Sequence, residues 1–141
     1  GRTGEYYVAA ELNRRGAYAV TFAGNMPKID ILASDEEQKR TVMIQVKTRR
    51  KGTWHSNNKE GNKSNRKPNE TKFWIFVDIE KDEEPPIFYI VPDWWIRNDI
   101  HEKYVAYIKK HKGKQSSSTH HGIDVKRIER WKDRWDILRI F

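Results

Sequence analysis

The sequence predicts an α/β fold in which a mixed central β-sheet is flanked by helices. Two observations predict it: amphipathic segments of helical length lie near both ends of the chain, and five short apolar segments of strand length lie between them. The predicted order of elements is α-β-β-β-β-β-α-α. The length of 141 residues is typical of one domain, so we expect a single domain over 1–141.

The first half of the chain predicts one helix and three strands. Residues 4–15 place Val8, Ala9 and Leu12 on one helical face, and Gly16 is a typical residue just beyond a helix C-terminus. A polar tip between the second and third strands is typical of a hairpin. The predicted strands are 17–22, 29–33 and 41–47, with a turn at 23–25 and the hairpin tip at 34–40.

The second half predicts two more strands and two helices. A strongly apolar strand at 73–79 is expected to be covered on both faces. A strand at 87–91 and a helix beginning at Pro92-Asp93 follow, with 104–108 left open between helix and extended chain. A polar loop is expected at 109–122, and a last helix within 123–141 would bury Ile128, Trp131 and Trp135. We interpret Trp94, Trp95, Trp131 and Trp135 as packing anchors.

Composition indicates a basic, globular protein. The chain has 28 Lys and Arg against 20 Asp and Glu, giving a net charge of +8, and this favours a polyanionic partner such as a nucleic acid. Aromatic residues reach 12%, which is untypical of disordered chains. No apolar run approaches the roughly 20 residues of a membrane span, so no membrane association is expected. The absence of cysteine excludes disulfides and thiolate chemistry and favours a cytoplasmic location. The chain begins at Gly1 rather than Met, which leaves open a trimmed N-terminus.

Residues 48–72 predict a long basic loop. The segment holds eight Lys or Arg, two Glu and one apolar side chain, Trp54. A loop this long is typically functional or disordered. Trp54 would either stack on a base or attach the loop to the core. The candidate nucleic-acid-binding residues are Arg49, Arg50, Lys51, Trp54, Lys59, Lys63, Arg66 and Lys67.

Four polar residues lie where their local pattern predicts apolar ones. Glu5 shares the inward helical face of Val8 and Leu12. Asp30 is surrounded by apolar neighbours, and Gln45 and Lys47 project from the same face of one strand. A helix-dipole role for Glu5 and a solvent-facing strand for Gln45 and Lys47 are the plainer interpretations of each residue alone. Because burial of unpaired charges is costly, their coincidence favours a common site.

These residue types suit metal-assisted hydrolysis of a phosphodiester. Asp30, the Gln45 amide oxygen and the main-chain carbonyl of Val46 are hard oxygen ligands, which Mg²⁺ prefers; Mn²⁺ is an alternative ion. Glu5 would add a carboxylate, directly or through a water. Lys47 would orient an attacking water or stabilise charge on the phosphate. The candidate catalytic residues are therefore Glu5, Asp30, Gln45 and Lys47.

The same residues carry a resemblance to a known superfamily. Gly4-Glu5 at the start of a helix, a strand bearing Asp30, and Gln45-Val46-Lys47 resemble the PD-(D/E)XK nucleases. Holliday junction resolvases of the archaeal type have a similar helix Glu, and Mrr-type restriction endonucleases are similar in using Gln. The resemblance covers residues 1–50 in motif and extends to 91 in element order, and it implies a restriction-endonuclease-like core. Gln45, which stands where most members have an acidic residue, removes one negative charge from the metal site.

The resemblance implies a Mg²⁺-dependent endonuclease that acts on DNA, with RNA and branched substrates left open. Cutting both strands symmetrically would need a homodimer. Two other functions remain: an inactive nucleic-acid-binding module of the same fold, suggested by Gln45, and a basic protein-interaction domain in which the polar residues are structural.

Overall fold

A five-stranded mixed β-sheet forms the centre of the computed structural model, in which residues 1–22, 26–114 and 118–141 are described. All neighbouring strands in it are antiparallel except the third and fourth across, which are parallel. The strands across this sheet are β1 (Tyr18–Thr21), β2 (Ile31–Ser34), β3 (Thr41–Arg49), β5 (Lys72–Asp78) and β6 (Ile87–Pro92). A small second sheet pairs β4 (Trp54–Asn57) with β7 (His120–Ile123). The predicted turn at 23–25 lies outside the described residues.

Helix α1 (Arg2–Arg14) confirms the first predicted helix. Val8 and Leu12, one turn apart, are fully buried against the sheet. The helix ends before Gly16, whose φ of 97° lies in the left-handed region that glycine adopts without strain. The amphipathic pattern therefore places α1 on one face of the sheet, with its first turn at one end of β3.

Strand β5 is buried on both faces, as its continuous apolar run predicts. Phe73, Ile75 and Val77 belong to the core beneath α1. Trp74 and Phe76 belong to a second core on the opposite face. That second core lies under helix α2 (Asp93–Lys110), which contributes Ile96 and Ile100. The central strand thus joins two hydrophobic clusters.

The prediction of one long loop at 48–72 is wrong in part. Strand β3 continues to Arg49, and the segment contains β4 and a 3₁₀ turn at Asn58–Glu60. Trp54, its one apolar side chain, is fully buried, and its Nε1 donates to the Val77 carbonyl at 3.1 Å. Base stacking by Trp54 is therefore excluded, whereas its role as a core anchor is confirmed.

The polar loop predicted at 109–122 contains the end of a helix and the start of a strand. Helix α2 continues through 104–108 to Lys110, which settles the open alternative in favour of helix. Residues 120–123 form β7, and 115–117 lie outside the described residues. In the described ranges no helix is long and apolar enough to cross a bilayer.

The predicted C-terminal helix is wrong. Three 3₁₀ turns replace it, at Val125–Arg127, Glu129–Trp131 and Trp135–Leu138. Between the last two, Lys132 forms a bridge with Tyr89 of β6, and the Asp133 N–H donates to the Phe88 carbonyl at 2.9 Å. These bonds to the outer edge of β6 compete with helical bonds. Ile128 and Trp135 are buried as predicted and Trp131 is only half-buried, so the spacing identified two of three core residues but not their secondary structure.

Replacing Trp54 with alanine is expected to lower the free energy of unfolding by about 3–5 kcal/mol, because the change removes a buried indole and its hydrogen bond. Chemical denaturation measures the effect. Tyr18→Ala is the matched control, since Tyr18 is 51% exposed and its loss should cost under about 0.5 kcal/mol. Equal losses in the two variants would contradict the buried position of Trp54.

His121 is expected to make folding stability fall with acidification. Burial, then the positive charge of Arg127, lowers the pKa of His121 to about 4. Its Nδ1 donates to Asn58 Oδ1 at 2.8 Å, and its buried Nε2 has no partner among the described residues. The unfolded chain binds the proton near the ordinary histidine pKa of about 6.5, so this contribution to stability is complete above that pH and is lost as the pH falls toward 4.

The free energy of unfolding, measured with denaturant from pH 7 to 4, should fall less steeply for His121→Gln than for the wild type. The exposed His55→Gln variant serves as the control, and identical slopes for His121→Gln and the wild type would contradict the assignment.

Candidate active site

Strand β3 is longer than its neighbour β2, and the candidate site lies just before the first residue of β2. Residues 41–44 of β3 pair with β2, whereas residues 43–49 pair with β5. Within residues 1–22, 26–114 and 118–141, no strand therefore lies beside the β2-facing edge of β3 from Gln45 onward. Side chains from Asp30 and from the first turn of α1 occupy this position.

Asp30 is attached to β3 by two hydrogen bonds. Its N–H donates to the Ile44 carbonyl at 2.9 Å, and its carboxylate Oδ2 accepts from the Val46 N–H at 2.7 Å. Asp30 precedes β2 rather than lying within it, which corrects the predicted strand 29–33. The carboxylate takes the position of the missing strand partner and lies beside the segment that carries Gln45 and Lys47.

Glu5 approaches Asp30 because α1 packs closely on β3. A Cβ added at Gly4 would overlap the Thr48 hydroxyl, so glycine permits this approach. Burial, a hydrogen bond with Asp30 and the negative charge of Asp30 raise the pKa of Glu5. Its side chain is 14% exposed, and Arg2 Nε lies 3.9 Å away. The Glu5 and Asp30 carboxyl groups thus lie within hydrogen-bond distance of each other, and the repulsion between two negative charges so close together favours a cation between them.

Gln45 and Lys47 project from the same face of β3, as their spacing predicts. The Gln45 Oε1 is buried and has no hydrogen-bond partner among the described residues. Burial lowers the pKa of Lys47, although the negative charges of Glu60 and Asp30 oppose the shift. The ammonium lies 5.4 Å from the centroid of the Trp74 ring. One unsatisfied acceptor and one partly desolvated cation therefore face the same space.

A polar network that the sequence analysis missed supports this face. Arg97 donates to Glu60 at 2.9 Å and to Asp93 at 2.9 Å, and Trp74 Nε1 donates to Asp93 at 2.8 Å. The only signal in the sequence is that Glu60 is one of two acidic residues in a basic segment. The ion pair between Glu60 and Arg97 forms because the fold packs α2 against the 3₁₀ turn. Because Glu60 is held by Arg97, its charge stays near Lys47.

A cleft of about 220 Å³ opens beside these residues and is lined by Gln45, Trp74 and Arg97 among others. The donor set fits a hard divalent cation: two neighbouring carboxyl groups, Glu5 and Asp30, and the unsatisfied Gln45 oxygen. Within the described ranges no group of three His, Cys, Asp or Glu could hold a metal. A metal here would consequently need neutral oxygen ligands besides the carboxylates.

The predicted nucleic-acid-binding residues divide into two groups. Arg49 is held internally by Asp78 at 2.8 Å and lies 4.0 Å over the Trp54 ring, with a side chain 11% exposed. This guanidinium therefore stabilises the core. The remaining predicted cations have exposed side chains: Arg50, Lys51, Lys59, Lys63, Arg66 and Lys67.

The fold is similar to those of two solved nucleases. Hjc, a Holliday junction resolvase from Archaeoglobus fulgidus, matches over 100% of this chain and 97% of its own, with a TM-score of 0.55 and 14% identity. The bacterial homing endonuclease I-Ssp6803I matches over 99% of this chain and 88% of its own, with a TM-score of 0.51 and 17% identity. No family model and no curated protein matches the chain.

The chain therefore has the restriction-endonuclease-like fold, as the resemblance implied. At identities of 14% and 17%, the similarity establishes the fold alone.

Proposed function

We propose that this protein is a metal-dependent endonuclease that hydrolyses phosphodiester bonds in DNA, with Mg²⁺ as the cofactor and Mn²⁺ as an alternative. The observation that carries the proposal is the Glu5–Asp30 pair, which is attached to β3 beside the segment that carries Gln45 and Lys47. The same fold occurs in a Holliday junction resolvase and a homing endonuclease, and this supports a DNA substrate.

The metal ligands we assign are Asp30, Glu5, the Gln45 Oε1 and the main-chain carbonyl of Val46. Asp30 is the principal ligand because two hydrogen bonds to β3 fix its position before any ion arrives. The buried Gln45 Oε1 has no hydrogen-bond partner in the part of the chain that the structure describes. A bound divalent cation would supply Lewis-acid stabilisation of the charge that develops on the phosphate.

Lys47 orients the attacking water or stabilises negative charge on the phosphate. Its ammonium is partly buried, so its field is less screened than that of a surface lysine. The face of Trp74 supports it on one side, and Glu60 supplies an opposite charge that Arg97 keeps in position. Such fixed surroundings restrict the lysine to few conformations.

Exposed cations in the segment after β3 suit a long polyanion. Lys59, Lys63, Arg66 and Lys67 follow the site along the chain, within a protein of net charge +8. Contacts of this kind position a duplex through its phosphates and make affinity salt-dependent. They carry no base specificity by themselves.

A binding module without catalysis is the second candidate. Gln45 in place of an acidic residue leaves Glu5 and Asp30 as the two carboxylates that we assign to the site. Fewer negative ligands weaken the binding of a divalent cation. Such a protein would bind DNA in a salt-sensitive way with or without metal, and would cut none.

Lys47→Ala is expected to reduce DNA cutting by about 100-fold or more, because it removes the preorganised charge at the phosphate. Labelled linear, branched and single-stranded DNA are incubated with Mg²⁺, Mn²⁺ or EDTA, and the initial rates are compared. Lys63→Ala is the matched control: it removes the same charge from an exposed position and should change the rate by only a few-fold. Gel shifts should show that Lys47→Ala still binds DNA.

Two outcomes of this assay contradict the proposal. Wild-type protein that binds every substrate but cuts none with either metal supports the binding module. Cutting that persists in EDTA, or that Lys47→Ala leaves unchanged, excludes the assigned site even if nuclease activity is present.

Gln45→Glu is expected to lower the Mg²⁺ concentration for half-maximal cutting, by roughly tenfold, because it adds a negative ligand to the site. A Mg²⁺ titration of the initial rate measures the shift, and a thermal melt confirms folding. Gln45→Ala, which removes the oxygen ligand, should shift the midpoint in the opposite direction. The same midpoint in all three proteins would show that residue 45 does not bind the metal.

A further inference from the structure

A second groove, which the proposed catalytic residues do not line, lies beyond the start of β5. It has a volume of about 600 Å³, and Phe73 lines both this groove and the cleft that Gln45 lines. The groove and the cleft are also adjacent at the start of α2, because Asp93 lines the cleft and the next residue, Trp94, lines the groove. A ligand in the groove would therefore extend toward the site that carries Gln45.

Indole rings form one wall of the groove. Trp95 and Trp131 meet edge to face with centroids 5.5 Å apart, and the Arg130 guanidinium lies 5.7 Å and 5.5 Å from the two rings. The Trp131 Nε1 is buried and has no hydrogen-bond acceptor among the described residues. Trp94 is half-buried, and in the part of the chain that the structure describes it makes no ring contact. Trp95 and Trp131 also pack against the core beneath α2, so Trp94 is the indole of this wall that is available for a ligand.

Cations also line the groove, among them Arg66, Lys67 and Arg130. Two carboxylates, Glu70 and Asp136, also line the groove, and Arg134 pairs with Asp136 at 2.9 Å. Arg66 and Lys67 are exposed and have no ion pair among the described residues. The groove therefore keeps an excess of positive charge beside its aromatic wall.

We propose that this groove binds an unpaired DNA strand, with Trp94 stacking on a base and Arg66 and Arg130 contacting phosphates. Aromatic faces can stack only on bases that are not enclosed in a duplex, and nearby cations follow the backbone. An acidic peptide would satisfy the cations but would leave the indoles without a matching group. The inference rests on the proposed function and narrows its substrate: DNA that carries a single-stranded branch or flank next to the cut.

Binding of a fluorescein-labelled oligothymidine in EDTA tests the groove without catalysis. Trp94→Ala should weaken binding about 5- to 100-fold, as loss of one stacked base does, while Trp94→Phe retains most of the affinity. Tyr18→Ala, at an exposed aromatic residue on β1, is the matched control and should leave affinity unchanged. Affinity for a duplex of equal length should change little in any of these variants.

Charge reversal provides a second test that does not disturb the aromatic wall. Arg66→Glu should weaken oligothymidine binding and reduce the slope of log affinity against log salt by about 0.7, the value for one phosphate contact to a single strand. Lys110→Glu is the control, since it makes the same charge change at the last residue of α2, whereas the groove lies at the first turn of that helix. Thermal melts verify that each variant folds.

The proposal is overturned if folded Trp94→Ala binds oligothymidine like the wild type, if Arg66→Glu and Lys110→Glu have equal effects, or if polyglutamate displaces the oligonucleotide as well as unlabelled oligothymidine does. Failure of the proposed function is separate. Wild-type protein that cuts no DNA, while oligothymidine binding still depends on Trp94, refutes the endonuclease and retains the groove. DNA cutting with no effect of Trp94→Ala on binding refutes the groove alone.

Discussion

The attachment of Asp30 to β3 is the interaction on which the candidate site depends. The pairing of β2 with β3 stops at Ile44 of β3. The next backbone N–H on the same edge of β3, that of Val46, donates to the Asp30 carboxylate instead of to a strand. A buried backbone donor without a partner would be costly, so the fold and the site share one hydrogen bond. Without this bond, the edge of β3 would lose a backbone partner and the carboxylate would lose its orientation.

The rest of the structure holds that edge rigid from both sides. Val8 and Leu12 fix α1 on one face of the sheet, and this brings Glu5 to Asp30. On the other face, the buried Trp74 and the Arg97 network fix the surroundings of Lys47. Catalytic groups on strands and on the first turn of a packed helix are held more firmly than groups on loops. Burial also removes water from both groups and so disfavours their charged forms, which raises the pKa of Glu5 and lowers that of Lys47.

The sequence predicted the parts of the fold in which local pattern and tertiary packing agree. Residues 73–79 are apolar enough to require cover on both faces, and Gln45 and Lys47 share a face because strand geometry fixes it. The C-terminal prediction failed because the edge of β6 competes for the backbone at Lys132, a contact distant in sequence. The buried position of Trp54 depends in the same way on distant residues, Phe76 and Val77. The Glu60–Arg97 pair, 37 residues apart, has no local signature.

The most direct test of the assigned site is to locate the metal itself, by anomalous scattering from Mn²⁺ in crystals of the wild-type protein. We expect one strong peak, about 2.0–2.6 Å from oxygens of Asp30 and Gln45, and no such peak in Asp30→Asn crystals. The exposed pair His55 and His120, whose Nδ1 atoms are 3.5 Å apart, offers a competing place for a transition metal. A peak at that pair alone, or no peak at saturating Mn²⁺, would contradict the assignment of a divalent-metal site to Asp30 and Gln45.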